Sequence, residues 1–554
     1  MQNKQCQQCH KTFKIEDQDL DFYQRIDVPA PTLCPDCRQQ RRLSWCNEMT
    51  LYPATCLICK KNILSIFSPN SNIKVCCRDC WWSDKYDGTK YQQEINSREN
   101  FFTQLDRLNH QVLHVATSTA GRLDNCDYVH YCGDSKNCYL TFHADFNENC
   151  LYAYGLKKCK DCIDAFNNFD CELCYQCIDC HNCYNLKWSQ DCVACYESYF
   201  LKDCVGCRNC FGAVGLRNQE YYFFDVQLSK TEYEKKMHEI NTGSYLELEK
   251  WLKKASEFRE KHFYKYMQGL KNEKATGNNL NYNKNLLDSF DCDEVENGRY
   301  CYQLYLVAKD CYDYYQYGMN SQLIYEGTII GGGCNNLKFC HYCFNKSWNL
   351  EYCIECASCK NCFGCISLHK KEFCILNKQY SEKEYFDLMG KLKTKMKQSN
   401  EYGEYFPASI SSFGYNETSA AWWYPLKKEE AIARKFKWQE HMPETKGKET
   451  VLEIPDNIKD IPNNIVKEIL ICGECHKNYK IITQELEFYQ KNNIPLPRKC
   501  FYCRHLARRF LRNPRSLWHR QCQKPDCHNT FETTYSPERK ELVYCEDCYL
   551  SAVM

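Results

Sequence analysis

The sequence carries almost no net charge: 72 Lys and Arg stand against 71 Asp and Glu, a formal balance of +1. The chain as a whole therefore offers no attraction to a polyanion or an acidic substrate, and any electrostatic argument must be local. Long apolar runs are missing as well. No stretch reaches eighteen consecutive apolar residues, and the opening MQNKQCQQCHKTF lacks the basic-then-apolar layout of a secretory leader. These absences predict a soluble, cytoplasmic protein with no membrane partner. Enzyme signatures are also absent: there is no GxxxxGK[ST], HExxH or GxSxG, and no GxGxxG after a strand. Gly331 to Gly333 form a lone glycine run that reads as a tight turn, and His110, His114 and the other histidines are scattered. Neither a catalytic residue nor a small-molecule substrate is inferred.

Cysteine, by contrast, is abundant, with 46 in 554 residues, in a chain whose 44% apolar and 14% aromatic content is ample for packed cores. In a reducing compartment, cysteines at CxxC spacing point to metal ligation or buried thiols rather than disulfides. Near the N-terminus lie two four-cysteine sets, Cys6, Cys9, Cys34, Cys37 and Cys56, Cys59, Cys77, Cys80. Cys46 and Cys76 are left over; Cys76 adjoins Cys77, but the spacing to Cys80 favours Cys77 as the ligand. The far end repeats the scheme with Cys472, Cys475, Cys500, Cys503 and Cys522, Cys527, Cys545, Cys548. Cys37 to Cys56 and Cys503 to Cys522 are both nineteen residues, and only the wider opening pair CQKPDC departs from the first copy. Two such pairs present four thiolates tetrahedrally to Zn²⁺, whose binding supplies much of the folding energy of so small a unit. About four zinc ions per chain are expected, one for each set.

Within the first set of each copy, the pattern extends beyond cysteine. Cys6, Cys9, Phe13, Asp21, Phe22, Tyr23, Pro31, Cys34, Cys37 and Arg38 match Cys472, Cys475, Tyr479, Glu487, Phe488, Tyr489, Pro497, Cys500, Cys503 and Arg504. This pattern resembles the zinc-ribbon, treble-clef-like domain family of uncharacterised prokaryotic proteins, over about forty residues at each end. The resemblance implies zinc binding and brings no activity with it.

Between the ends, sixteen cysteines fall between Cys126 and Cys210, and every interval is a multiple of three. Written in rows of 21, small apolar residues share columns, as in Cys138, Cys159, Cys180 and Leu201, or Cys150, Cys171, Cys192 and Ala213. A fixed period in this range predicts stacked units, each covering the apolar face of the next. The intervening Asn and Asp favour turns over helix, so a parallel β-helix is expected. Tyr154, Tyr175 and Tyr196 share the 21-residue spacing and read as a packing ladder. A second stretch repeats the scheme with twelve cysteines. In it, Cys301 to Cys311 and Cys343 to Cys353 are ten apart, as a one-residue bulge would give.

The fold class that follows is multidomain and mainly β with helical insertions: four-cysteine zinc modules at both ends flank two cysteine-rich solenoids. The expected domains are a double zinc module at 1–88, a linking helix at 89–117 and a solenoid at 118–228. A helical insertion at 229–276 leads to a second solenoid at 277–380, then a helix and extended connector at 381–470 and a double zinc module at 471–554. Ser97 precedes a helical stripe from Phe101 to Val112, capping pairs stand at Ser229 with Glu232, Ser244 with Glu247 and Ser381 with Glu384, and a short helix is expected near 427–437.

Three readings of the central cysteines stay open: buried packing thiols, further ligands for zinc or an iron-sulfur cluster, and a redox relay. The local basic segment is RKCFYCRHLARRFLRNPRSLWHR, residues 498–520, which has no acidic residue. If the second CxxC opens a helix, Arg504 and Arg508 lie four apart on one face, followed by Arg512, and with Arg509 they would contact phosphate. The N-terminal copy keeps Arg38, Arg41 and Arg42. The leading expectation is a non-enzymatic, zinc-binding protein that takes nucleic acid, RNA or ribosome, through basic zinc modules. A protein-interaction scaffold presenting the solenoid sides is the second, and a thiol-rich metal-buffering or redox protein the third.

Overall fold

A computed structural model describes residues 1–451 and 453–553; positions 452 and 554, within the expected connector and C-terminal module, lie outside the described residues. From 119 to 375 the chain is β-solenoid, interrupted by a helical insertion, and a pair of four-cysteine clusters occupies each end.

The first solenoid advances twelve residues per coil. Parallel bridges join Asp127 to Tyr139, Tyr139 to Leu151, Leu151 to Ile163 and Ile163 to Tyr175. Each coil is four triplets: one residue faces the lumen, the next bridges to the following coil, and the third takes left-handed backbone. Asp161, Asp164, Asn167 and Asp170 show the last state, with φ of 52°, 55°, 52° and 52°. Asn, Asp and Gly tolerate that conformation best, which explains why they interleave the cysteines. The 21-residue period is thereby corrected to twelve. Twenty-one residues are seven triplets, so such rows align lumen residues with one another without placing them on the same wall. Residues that do share a wall are Cys138, Cys150, Cys162 and Cys174, or Cys159, Cys171, Cys183 and Cys195. For the same reason Tyr154, Tyr175 and Tyr196 do not stack: Tyr154 bridges to Phe166, Tyr175 to Ile163, and Tyr196 pairs with Tyr184.

The second solenoid mixes steps of twelve, Trp348 to Lys360, with steps of thirteen, Val295 to Ala308 and Leu337 to Leu350. The longer coils hold two consecutive left-handed residues, Leu306 with Val307 and Asn345 with Lys346. These fall within the ten-residue cysteine intervals, as the inserted residue requires. Gly332 and Gly333 form another such pair, with φ of 73° and 75°, a turn rather than a phosphate cradle. The second sheet begins at Gly269, inside the stretch expected to be helical insertion.

Each solenoid encloses its own lumen, lined by buried cysteines with Leu, Ala and Ile. Thiols there donate to carbonyls nine residues on, as Cys150 does to Cys159 at 3.5 Å and Cys162 to Cys171 at 3.5 Å. Cysteine suits the narrow bore because it is small, apolar and still able to donate weakly to a carbonyl.

Helices α1 (Asp17–Arg25), α2 (Pro35–Leu43) and α3 (Arg78–Trp82) belong to the N-terminal module, followed by α4 (Phe101–Gln111). The cap of α4 is Asn100, not Ser97. The insertion holds α5 (Lys230–Glu239) and α6 (Tyr245–Arg259), and the connector α7 (Glu382–Gln398), α8 (Ser419–Trp423) and α9 (Lys428–Ala433). The capping boxes of Ser229 with Glu232 and of Ser381 with Glu384 are both formed. The C-terminal module has α10 (Thr483–Lys491), α11 (Phe501–Phe510) and α12 (Glu546–Val553).

The modules cross over. The N-terminal one packs on the second solenoid, where Phe22 stacks on Tyr312 at 4.0 Å and the Trp81 indole donates to Ser367 at 2.7 Å. The C-terminal one packs on the first, with Tyr489 against Tyr175 and Tyr549 donating to Asp203. Glu48, fully buried just after α2, ties the two solenoids together: it accepts from Tyr154 at 2.6 Å and from Tyr315 at 2.7 Å.

Because Ala165 lies in the same lumen column as Cys177 one coil on, Ala165→Cys should leave the denaturation midpoint nearly unchanged. Ala165→Phe overfills the bore and should destabilise by about 1–3 kcal/mol or more. Equal midpoints in guanidinium titrations would contradict the placement of Ala165 in the lumen.

Candidate metal centres and the basic segment

All sixteen cysteines expected as ligands come together, in the four groups expected, with the Sγ atoms of each group within 4.8 Å of one another. Sγ separations are 3.6 Å for Cys9 and Cys34, 3.8 Å for Cys59 and Cys77, 3.7 Å for Cys475 and Cys500, and 3.9 Å for Cys527 and Cys545. A tetrahedron with Zn–S bonds of about 2.3 Å has edges of about 3.8 Å, so each group fits a zinc ion. Cys76, although buried, is in none of these groups, and Cys77 is the ligand candidate.

Local structure builds each group in the same way. The first CxxC sits in a tight knuckle at the end of a short hairpin, as at Gln2–Gln5 with Thr12–Ile15 and Tyr52–Thr55 with Asn62–Ser65. The second CxxC opens a helix, with Cys34, Cys77 and Cys500 as N-cap residues of α2, α3 and α11. Backbone N–H groups then point at sulfur: Cys77 N–H donates to Cys56 at 3.3 Å, Cys500 N–H to Cys472 at 3.2 Å and Cys545 N–H to Cys522 at 3.3 Å. One thiol in each group is held towards thiolate. Hydrogen bonding with Cys37 holds Cys34 down to about 5. Against the burial that would raise them, backbone donors hold Cys56 down to about 6 and Cys472 and Cys545 down to about 7. Many lumen thiols are instead pushed well up, as burial does to Cys132 and Cys204. Others in the lumen go the opposite way, with hydrogen bonding from Cys126 and Cys171 holding Cys138 and Cys183 down to about 4, so the two populations are told apart by position and not by titration.

The four arginines expected to meet phosphate are placed elsewhere than on an open face. Arg504 and Arg508 do lie four apart on α11, but they are only 6% and 2% exposed, and their face is turned onto the first solenoid. Both reach Asp164: Arg504 Nε donates at 3.1 Å and Arg508 Nη1 lies at 2.8 Å. Arg504 also meets Glu485, which accepts from Tyr152 at 2.7 Å. Arg512, its side chain 7% exposed, donates to Asp179 of the first solenoid at 2.6 Å and pairs with Asp291 of the second. The stripe reading for these three is therefore corrected: their charge is matched internally, as buried cations require. In the N-terminal copy, Arg38 and Arg42 grip Asp313 in the same manner, each at 3.0 Å, and Arg41 pairs with Glu326 and Glu404.

Arg509 differs. It is 7% exposed, donates to the Trp422 carbonyl and stacks on Trp423 and Phe510 at 4.7 and 5.0 Å. Among the described residues no carboxylate pairs with it. It lines a cleft of about 330 Å³ between the ends of α2 and α11 and the Trp422–Pro425 segment. That cleft presents Arg509, Arg512, Arg515 and Arg539, and no acidic residue lines it. Nothing in the order of residues signals this feature, since Trp423 and Arg515 meet only in the fold.

The fold and sites together define a β-solenoid protein with four clusters of four cysteines suited to metal. No protein-family model matches the chain, and no curated protein matches it. Among solved structures it is similar in part to one described as an acetyltransferase from Desulfovibrio desulfuricans G20, at 8% identity over 44% of this chain and 63% of that one. The TM-score of 0.11 carries no argument about fold or activity. No helix of the described residues is long and apolar enough to cross a membrane.

Two outcomes are expected. Elemental analysis of protein purified without added metal should find about four zinc ions per chain, and Cys503→Ser should remove one without removing the others. Asp164→Ala strands the buried guanidinium of Arg508 and leaves Arg504 with Glu485 alone, and should cost about 3–5 kcal/mol in unfolding free energy. Removal of an exposed partner such as Glu148, paired only with Lys136 at 3.6 Å, should cost less than about 1 kcal/mol.

Proposed function

We propose that the chain is a zinc-stapled, non-enzymatic protein that binds single-stranded nucleic acid at the edge of its C-terminal module. The observation that carries this reading is the cleft at α11, where four arginines converge with aromatic side chains and no carboxylate lines the wall. Basic groups neutralise phosphate, and aromatic faces accept bases with little regard to sequence, the combination found in single-strand binders. The contact surface is not the Arg504 and Arg508 face but the neighbouring face of the same helix, at Arg509 and Phe510. Zinc acts indirectly: it folds the knuckle and helix that hold Arg509 in place.

A protein-interaction scaffold remains the second reading. Tyr184 and Tyr196, 38% and 41% exposed, pair in register on adjacent coils of the outer wall, with Val193 nearby at 40%. Such a surface would take a protein partner by a contact indifferent to salt.

The nucleic-acid reading is tested by fluorescence anisotropy with a labelled single-stranded RNA twelve-mer and zinc-loaded protein. For two to three phosphate contacts, affinity should fall roughly 7- to 20-fold between 50 and 200 mM salt, and Arg509→Gln should weaken it further. Absence of binding at 50 mM salt, or binding that salt leaves unchanged, would refute the reading.

A further inference from the structure

The cleft at α11 is specific enough to say which part of a nucleic acid it would hold. Three of its four arginines already have carboxylates: Arg512 pairs with Asp179 and Asp291, Arg515 with Asp291 at 2.7 Å, and Arg539 with Glu541. Arg509 is left as the unmatched cation. Its Nε finds no hydrogen-bond partner, and burial together with the neighbouring Arg515 holds the guanidinium down to about 10. An Nε without a partner is shared by the paired Arg508 and Arg515, so it is the missing carboxylate that marks Arg509 as a buried positive charge without its anion.

Beside it the ring of Phe510 is 71% exposed at the rim, and Leu511 next to it is 56% exposed. A phenyl ring left in water beside an unmatched guanidinium has the two properties of a nucleotide seat, an apolar face and a positive charge within one side chain's reach. The volume of about 330 Å³ is at the lower end of the range for small-ligand sites.

The internal duplication separates this feature from the structural frame. Aligning Cys500 and Cys503 with Cys34 and Cys37 puts Arg509 at the place of Leu43 and Phe510 at that of Ser44. Leu43 is fully buried in an apolar cluster. The arginines of the junction, Arg38 with Arg504 and Arg42 with Arg508, recur in both copies. Arg509 and Phe510 occur in one copy alone, so holding a zinc module against a solenoid does not require them.

We infer that the cleft seats a single nucleotide, with its phosphate against Arg509 and its base on the exposed ring of Phe510. This deepens the nucleic-acid reading and rests on it for the longer ligand, but a free mononucleotide probes the seat directly. The zinc-loaded full chain is titrated with AMP, adenosine and inorganic phosphate, following heat release and the fluorescence of Trp422 and Trp423. AMP should bind at least tenfold more tightly than either part alone. Phe510→Ala should bring AMP down to the level of phosphate, a loss of roughly 10- to 150-fold, within the range for one stacked base. Arg509→Gln should bring it down to the level of adenosine. Both variants should keep about four zinc ions; if Arg509→Gln does not, Phe510→Ala, at an exposed position, decides alone. AMP binding no tighter than phosphate, or unaffected by Phe510→Ala, would reduce the cleft to an anion site and overturn the inference, as would no saturation at millimolar AMP. If the twelve-mer binds wild type and Phe510→Ala equally but Arg509→Gln more weakly, the seat is refuted while the nucleic-acid reading stands. If AMP saturates but no oligonucleotide binds, the seat stands and that reading falls.

Discussion

The buried arginine–aspartate junction is the contact on which the assembly of this protein depends. Arg504 and Arg508 close on Asp164, and Arg38 and Arg42 on Asp313, all with side chains at most 5% exposed. Charges taken so far from water cost several kcal/mol each unless matched, so neither surface is comfortable without the other. Cysteine cluster and solenoid are thereby linked. The cluster of Cys472, Cys475, Cys500 and Cys503 closes at the start of the helix that displays the arginines, and the solenoid supplies the carboxylates that allow their burial. A metal held by those four thiols would fix α11 against Asp164.

Those aspartates are where they are because of the coil. Asp164, Asp179, Asp291 and Asp313 all occupy left-handed positions, with φ of 55°, 51°, 58° and 56°. A coil made of triplets needs such a residue at every third place, and Asp and Asn fill it at least cost among residues with side chains. Their side chains project outwards, away from the lumen. One backbone constraint therefore gives both the bend of the coil and an outward row of carboxylates, from which the terminal modules take their partners. Arg512 extends the arrangement by joining Asp179 of one solenoid to Asp291 of the other, and Glu48 does so again through Tyr154 and Tyr315.

Much of this was legible in the sequence, for identifiable reasons. The four metal groups were, because their ligands are paired at CxxC spacing and the loops are short. The solenoid was too, since a lumen residue recurs at every third position whatever the shape of the coil. The number of triplets per coil was not legible: any multiple of three keeps cysteine under cysteine, and only the pairing of Tyr139 with Leu151 fixes four. The arginines misled because their partners are remote. Arg504 and Asp164 are separated by 340 positions, and a run of basic residues with no acid among them reads locally as a phosphate surface. A usable signal did exist: both copies place arginine at the same two positions after the second CxxC, four residues apart, within a chain whose solenoids are rich in aspartate. Recurrence in both copies marks a shared structural role.

The same comparison isolates what is not structural. Two copies of one module, docked in the same way on two similar solenoids, need the same contacts for docking. Where the copies diverge beside the junction, docking does not account for the residues present. At the last turn of the helix, the N-terminal copy has Leu43, packed among apolar neighbours, and the C-terminal copy has Arg509, and the two equivalent residues line one and the same cleft. Burying a guanidinium without a carboxylate where the sister copy buries a leucine lowers the stability of the free protein. An anion bound at Arg509 would offset that penalty. Divergence between the two copies thus points to the same place as the unmatched charge: the final turn of α11, where the frame ends and a ligand can begin.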